Sequence, residues 1–338
     1  MMKILAIESS CDDTGIAIIE NGRKILASKV SSQVEKHKLF GGVVPEVASR
    51  NHIEAIVPLL NSVFDDSGLS FKDIDSLAVT YGPGLVGSLL VGVNFAKGLS
   101  LATNLPLIPV HHLKGHIASL YLSNSDLKPP FLCLVVSGGH TCIVEVRSYT
   151  SFKILAQTRD DAAGEAFDKI GRRLGLDYPG GVALDKLAEK GDAHSFKLPT
   201  PFKENSEIYD FSFSGVKTAM INIINNLSQH SGNIPTEDLA ASFRESIVNC
   251  LVTNFIKSAI KYNYTTLCIA GGVSANSLLR RRLEEKCEKL KFNLFKPKLE
   301  LCGDNAAMIG SQAYYEFLDG NISRLDLNAK ASINIENG

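Results

Sequence analysis

Apolar positions crowd residues 3–7, 14–19 and 24–30, runs of strand length, and a polar turn, Ser9-Ser10-Cys11-Asp12-Asp13, joins the first two. The pattern recurs near the middle of the chain, at 131–136, 141–146 and 152–157, with Ser137-Gly138-Gly139-His140 in the place of the turn. This is a repeat of pattern and not of identity, and it predicts two similar α/β lobes with a cleft between them. Helical segments follow each set. Residues 45–64 read as an amphipathic helix kinked at Pro58, and a strand over 76–80 leads through Gly82-Pro83-Gly84 into a helix ending near 102. In the second half the periodicity predicts helices over 163–174, 182–189 and 237–262, a strand over 267–270, and helices starting at 275 and at Asp304. The last one, running to 317, carries Ala306, Ala307, Gly310 and Ala313, small residues suited to close packing against the first lobe.

The most apolar region, 85–110, contains Asn94, Lys97 and Asn104 and is broken by Pro106 and Pro109. A membrane span needs about 18 or more largely unbroken apolar residues, so the expectation is a buried helix followed by a strand. Residues 1–7 are too short for a signal peptide, and Glu8, Asp12 and Asp13 come too early for a transit peptide. A cytoplasmic protein without a membrane anchor is expected.

Length allows two domains: with 338 residues, the expected division is 1–125, completed by 304–338, and 126–303. The net charge of −1 supplies no global field for nucleic acid or an anionic membrane. A polyanion would need a local patch, and Arg280-Arg281-Arg282 and Arg172-Arg173 are the available runs, although such runs usually form solvated faces. Seven cysteines, an odd number without a C-x-x-C pair, suggest neither a zinc ribbon nor a disulfide framework.

Within His111-His112-Leu113-Lys114-Gly115-His116, His112 and His116 stand four apart, one turn on the same face of a helix. Two imidazoles so spaced can grip one metal ion. Asp304, in Cys302-Gly303-Asp304-Asn305, sits where a helix N-cap would, yet two histidines and one carboxylate also make a three-ligand site with an open position. Asp12 and Asp13 are ordinary turn residues by type, and Asp168 on a helix could lie on a solvated face. Glycine-bearing turns at Gly82-Pro83-Gly84, Ser137-Gly138-Gly139, Tyr178-Pro179-Gly180-Gly181 and Gly271-Gly272-Val273-Ser274-Ala275-Asn276 let backbone amides approach a phosphate. Neither a P-loop nor a dinucleotide fingerprint is present.

Taken together, the 8–15 turn, the HHLKGH segment, Val136-Ser137-Gly138-Gly139-His140-Thr141, Gly164-Glu165-Ala166-Phe167-Asp168-Lys169, Phe211-Ser212-Phe213-Ser214-Gly215-Val216-Lys217-Thr218, Gly271 to Asn276 and Asp304-Asn305-Ala306-Ala307-Met308 closely resemble the tRNA threonylcarbamoyladenosine-forming transferases, a family once misnamed O-sialoglycoprotein endopeptidases. The resemblance spans nearly the whole chain. It implies an actin/Hsp70/sugar-kinase-like α/β fold. It implies transfer of a threonylcarbamoyl group from threonylcarbamoyl-AMP to N6 of adenosine 37 in tRNAs reading ANN codons, with release of AMP. By matched positions, His112, His116 and Asp304 would hold an iron or zinc ion. Val135, Val136, Ser137, Gly138, Gly139, Asp168, Gly181, Asp185 and Asn276 would bind the adenylate, and Asp12 would act in catalysis. Many members have glutamate where this chain has Asp13. Glu46, Arg50 and His52 match a motif placed near partner contacts, and the implied partners are a paralogous non-catalytic (TsaB-like) subunit and a P-loop (TsaE-like) ATPase. A metallopeptidase is disfavoured, because Leu113 stands where an H-E-x-x-H enzyme needs its glutamate. A kinase or chaperone-type ATPase of the same fold would not be expected to carry the histidine pair, and a non-catalytic scaffold would not need the motif residues.

Overall fold

The computed structural model describes residues 1–200, 209–230 and 234–337. In chain order the strands and helices are β1 (Lys3–Glu8), β2 (Asp13–Glu20), β3 (Lys24–Ser32), α1 (Val34–Lys38), α2 (Pro45–Ser67), β4 (Ser76–Gly82), α3 (Val86–Thr103), β5 (Leu107–His111) and α4 (His112–Ser123). They continue with β6 (Phe131–Val136), β7 (Thr141–Val146), β8 (Phe152–Gln157), α5 (Ala163–Arg173), α6 (Gly180–Ala188), α7 (Ser214–His230) and α8 (Thr236–Lys261). The chain closes with β9 (Thr266–Ala270), α9 (Ser277–Leu290), β10 (Asn293–Phe295) and α10 (Ala306–Leu318).

These elements form two compact units. One comprises Met1–Pro130, Val146–Lys153 and Lys296–Gly338, the other Phe131–Glu145 and Ile154–Phe295. The segment 146–153 belongs to the first because Tyr149 stacks on Tyr315 of α10, with ring centroids 4.0 Å apart. Each unit holds a five-stranded sheet, in the orders β3-β2-β1-β4-β5 and β10-β9-β6-β7-β8. The second order, read backwards, is the first: three sequential strands, then two added beside the earliest of them. The pattern repeat is therefore a topological one. In the first sheet β1 pairs antiparallel with β2 and parallel with β4, and β4 pairs parallel with β5.

Both faces of β1 are covered, which explains its unbroken apolar run. Leu5 and Ile7 pack with Ile56, Leu60 and Val63 of α2 and Val93 and Ala96 of α3. Ile4 and Ala6 face Ala306, Ala307, Met308 and Ile309 of α10. A Cβ on Gly310 would stand 2.6 Å from Ile19 and 3.2 Å from Ala6, so glycine there lets α10 lie directly on the sheet. The small-residue helix packs as expected.

The 85–110 region is α3 followed by β5, the order expected, but the helix is not the buried one expected: Ser88, Leu89, Gly92, Val93 and Ala96 are its buried face, packed in the first unit, and the rest is partly or fully exposed. Among the described residues α3 is the one helix long and apolar enough to cross a membrane, with 28% of it buried. Elsewhere the boundaries move. The helix expected at 275 begins at Ser277, after a single 3₁₀ turn over Gly272–Ala275. The helix expected from Asp304 begins at Ala306. Helix α2 continues through Pro58 to Ser67. Helix α7 was not visible in the sequence pattern.

Candidate functional site

Strand β5 ends at His111 and α4 begins at the next residue, so His112 and His116 occupy its first and second turns. His111 caps the helix, its Nδ1 accepting from Leu113 N at 3.1 Å, and it donates through Nε2 to Ile333 O. The third member comes from the far end of the chain. Asn305, not Asp304, is the N-cap of α10, accepting from Met308 N at 3.0 Å. The capping role expected of Asp304 is thus filled by its neighbour, and the Asp304 carboxylate turns toward the histidines.

The donor atoms of His112, His116 and Asp304 lie within 4.8 Å of one another. Asp304 Oδ1 is 3.6 Å from His112 Nε2 and 3.2 Å from His116 Nε2. His116 is fully buried, and neither of its ring nitrogens makes a hydrogen bond. An imidazole so placed loses its water without replacement, a cost that coordination to a cation would offset. His112 is held from behind: its Nδ1 is 3.1 Å from Glu8 Oε2 and 3.1 Å from Ser10 Oγ. A carboxylate accepts and does not donate, so Nδ1 carries a proton and Nε2 faces the cluster. Glu8 is anchored by Ser10 N at 2.6 Å and Thr80 Oγ1 at 2.7 Å. Burial would raise the Glu8 carboxyl, but His112 beside it holds it below its ordinary value. The residues therefore fit a divalent cation. Sequence reasoning missed Glu8, although a lone acid ending an apolar strand was a visible signal.

Asp12 and Asp13 crowd the same region with negative charge. Burial pushes the Asp13 carboxyl up to about 7; a bond from Ser32 opposes the rise, and the charges of Asp12, Asp304 and Glu8 add to it. The turn that carries Asp12 is clamped by His52, whose Nε2 donates to Cys11 O at 2.9 Å and whose Nδ1 accepts from Thr14 Oγ1 at 2.7 Å. Of the three motif residues on α2, His52 is fully buried, whereas Glu46 and Arg50 are exposed. The reason is helical phase: Ala48, His52, Ile56 and Leu60 form the buried face of α2. Burial keeps the His52 pKa below its ordinary value, in keeping with a neutral ring that both donates and accepts. His52→Leu is expected to cost about 2 kcal/mol, because it strands a buried hydroxyl and a carbonyl; a urea midpoint unchanged from wild type would contradict this.

The other expected residues meet in the second unit. Val135 and Val136 are fully buried in β6, whereas Gly138 and Gly139 are exposed. Ser137 closes the turn with His140, its N donating to His140 O at 2.8 Å. Gly271 lies against this turn at φ +89, and a Cβ on it would stand 2.4 Å from Val136 O. Asp168 is half-buried rather than solvated, and its Oδ1 accepts from Gly181 N at 2.9 Å. Asp185 Oδ1 accepts from Asn276 Nδ2 at 2.9 Å and from Arg244 Nη1 at 2.9 Å, while its Oδ2 accepts from Ser277 N at 2.9 Å. Asn276 also caps α9 through Leu279 N. Four of the site residues expected in this unit thus form two linked pairs, Asp168 with Gly181 and Asp185 with Asn276. Arg244 was missed; its signal is a single cation within the apolar face of α8.

The sequence profile of the tRNA N6-adenosine threonylcarbamoyltransferases (TsaD) matches residues 24–311. The tRNA N6-adenosine threonylcarbamoyltransferase of Clostridium botulinum (strain Kyoto / Type A2) is 48% identical over 334 residues, covering 99% of this chain and 98% of that protein. The protein of the same name from Clostridium perfringens (strain SM101 / Type A) is 50% identical over 332 residues, covering 98% of each. Among solved structures, T. kodakarensis HypF superposes with a TM-score of 0.63 at 14% identity, covering 96% of this chain and 49% of that one. The (R)-2-hydroxyglutaryl-CoA dehydratase component A of Acidaminococcus fermentans gives 0.54 at 13% identity, covering 94% and 99%. These two show the fold, that of the actin/Hsp70/sugar-kinase group. With the profile matched over most of its length and near-full-length relatives at about half identity, the chain belongs to the tRNA N6-adenosine threonylcarbamoyltransferase family, transferases that modify tRNA.

Proposed function

We propose that this chain moves the threonylcarbamoyl group of threonylcarbamoyl-AMP onto N6 of adenosine 37 in tRNAs reading ANN codons, with His112, His116 and Asp304 holding one iron or zinc ion. The observation that carries the metal assignment is the buried His116, both nitrogens without hydrogen bonds, beside Asp304 and His112. When bound, such an ion supplies Lewis-acid stabilisation of developing negative charge.

The nucleophile is a weak aromatic amine and AMP is a good leaving group, so catalysis rests on positioning and on charge stabilisation. N6 attacks the carbamoyl carbon, the bond from that carbon to the phosphate oxygen breaks, and AMP departs with the electron pair. Asp12, at the tip of the turn clamped by His52, takes the N6 proton. The Gly138 and Gly139 amides hold the phosphate, and Asp168 with Gly181 and Asp185 with Asn276 hold the rest of the adenylate. Adenosine 37 lies in a loop, so it can swing outward without melting a helix. Partner subunits, one TsaB-like and one a TsaE-like P-loop ATPase, complete the system, because a chain of net charge −1 has little field of its own for tRNA. The direct test is mass spectrometry of tRNA nucleosides after incubating this chain, its partners, the adenylate and unmodified tRNA. Equal product with this chain omitted would refute the assignment.

Metal uptake should depend on pH. Burial alone would lower the His112 pKa, but Asp304 and Glu8 outweigh it and raise it to about 9. A cation taking Nε2 must displace that proton, so zinc affinity is expected to fall about tenfold for each pH unit below 9. Without metal, protonated His112 stabilises the fold fully below its ordinary pKa of 6.5, and this contribution is lost as pH rises through about 9. Thermal melts of metal-free protein should therefore fall between pH 7 and 10 through this group, and zinc competition titrations check the affinity.

A further inference from the structure

Helix α4, which carries His112 and His116, is joined to α10, which begins two residues after Asp304, by a buried ion pair that the chemistry above does not use. Lys114 Nζ of α4 lies 3.2 Å from Glu316 Oε1 of α10, with the two side chains 4% and 5% exposed. Gln312 Nε2 donates to the same oxygen at 2.9 Å, and Asn321 Nδ2 donates to Oε2 at 2.6 Å. The ammonium also sits 5.2 Å from the centroid of the Phe152 ring. A buried pair of this kind is a poor source of stability, since apolar side chains of similar size often serve as well or better. Its attested use is to select one arrangement among several.

The α4–α10 contact has need of such selection. A Cβ on Gly115 would stand 2.6 Å from Ile309 Cδ1, and Ser311 Oγ donates to Ala118 O at 3.2 Å. Small residues allow this close approach but offer few protrusions to fix how far one helix has slid along the other. A slip of one residue moves a helix by about 1.5 Å and turns its side chains by about 100°. His112 and His116 ride on α4, and Asp304 lies two residues before the start of α10. A slip would therefore pull Asp304 out of reach of the imidazoles.

We propose that Lys114 and Glu316 are positioning residues: their pairing fixes the register of α10 on α4 and so sets the His112–His116–Asp304 geometry. The consequence for metal rests on the metal reading given above. The test compares the full chain with Lys114→Met/Glu316→Met and with the swapped Lys114→Glu/Glu316→Lys. Three quantities are read: zinc affinity by chelator competition, the visible spectrum with cobalt(II), and the thermal midpoint. The double methionine variant should melt near wild type, bind zinc about 10- to 100-fold more weakly and show an altered cobalt spectrum. The swapped variant should recover zinc affinity. Wild-type zinc affinity and cobalt spectrum in the double methionine variant would overturn the proposal. If the methionines prevent folding, the swap decides: a folded swapped protein that has lost zinc overturns it. If wild type itself binds no zinc, the metal reading fails, and crystal structures settle the register separately. The His116–Asp304 separation should then widen in the methionine variant, and an unchanged separation overturns the proposal.

Discussion

His112→Ala combined with His116→Ala should strip the bound metal ion from the protein and slow threonylcarbamoyl transfer by about a thousandfold or more, an effect of about 4 kcal/mol. The size follows from the site. The three donors are His112, His116 and Asp304, and a lone carboxylate cannot retain a transition metal against water. The fold should survive. Glu8 loses its contact to His112 but keeps Ser10 N and Thr80 Oγ1, so the remaining penalty is about 1–3 kcal/mol, below the stability of a typical domain. Metal content by plasma mass spectrometry, circular dichroism and tRNA nucleoside analysis read the three parts separately. A folded, metal-free double variant with undiminished turnover would refute the role given to the metal. A double variant that keeps its metal would refute the ligand assignment.

Arg244→Met should damage the other unit without touching the metal. Arg244 donates to Asp185 Oδ1 at 2.9 Å and to the carbonyls of Asp185 and Ala188 at 2.9 and 3.1 Å. Its side chain is 9% exposed and that of Asp185 16%, so removal leaves a nearly buried carboxylate short of its cation, at a cost of about 3 kcal/mol. Asp185 is also what holds Asn276, the cap of α9, so the arrangement proposed to receive the adenylate loosens with it. AMP affinity, measured by calorimetry, is expected to drop about tenfold or more, while metal stoichiometry stays at wild type. Lower stability with unchanged AMP affinity would make the Asp185–Asn276 network structural only.

How much of this was legible in the chain depends on how local each signal was. Strands β6 and β7 were readable to the residue because their apolar runs end abruptly at polar turns. The histidine pair was readable because one helical turn fixes the relation of His112 to His116. Asp304 was ambiguous: a polar residue before a helix reads as a cap, and only the hydrogen bond from Met308 N to Asn305 shows which neighbour caps. The part His52 plays was not legible because a motif gives no helical phase, whereas packing of α2 on β2 turns it inward onto the Asp12 turn. Arg244 and Glu8 were passed over, since most of the groups that hold them, Asp185 and Ala188 for the one and Thr80 and His112 for the other, come from distant segments.

By itself the amino-acid order determined the alternation of strands and helices, the doubled pattern, the family resemblance and the residue types able to bind a metal. Those are short-range properties, set by side-chain periodicity and turn chemistry over a few residues. Tertiary structure alone decided that Asp304 reaches His116 across 187 intervening positions of chain, counted from their numbers, and that Asn276 is tied to Asp185. Such meetings depend on sheet order and on how α10 seats against β1 and α4, and no local pattern encodes a distance between elements that touch only after the chain has folded.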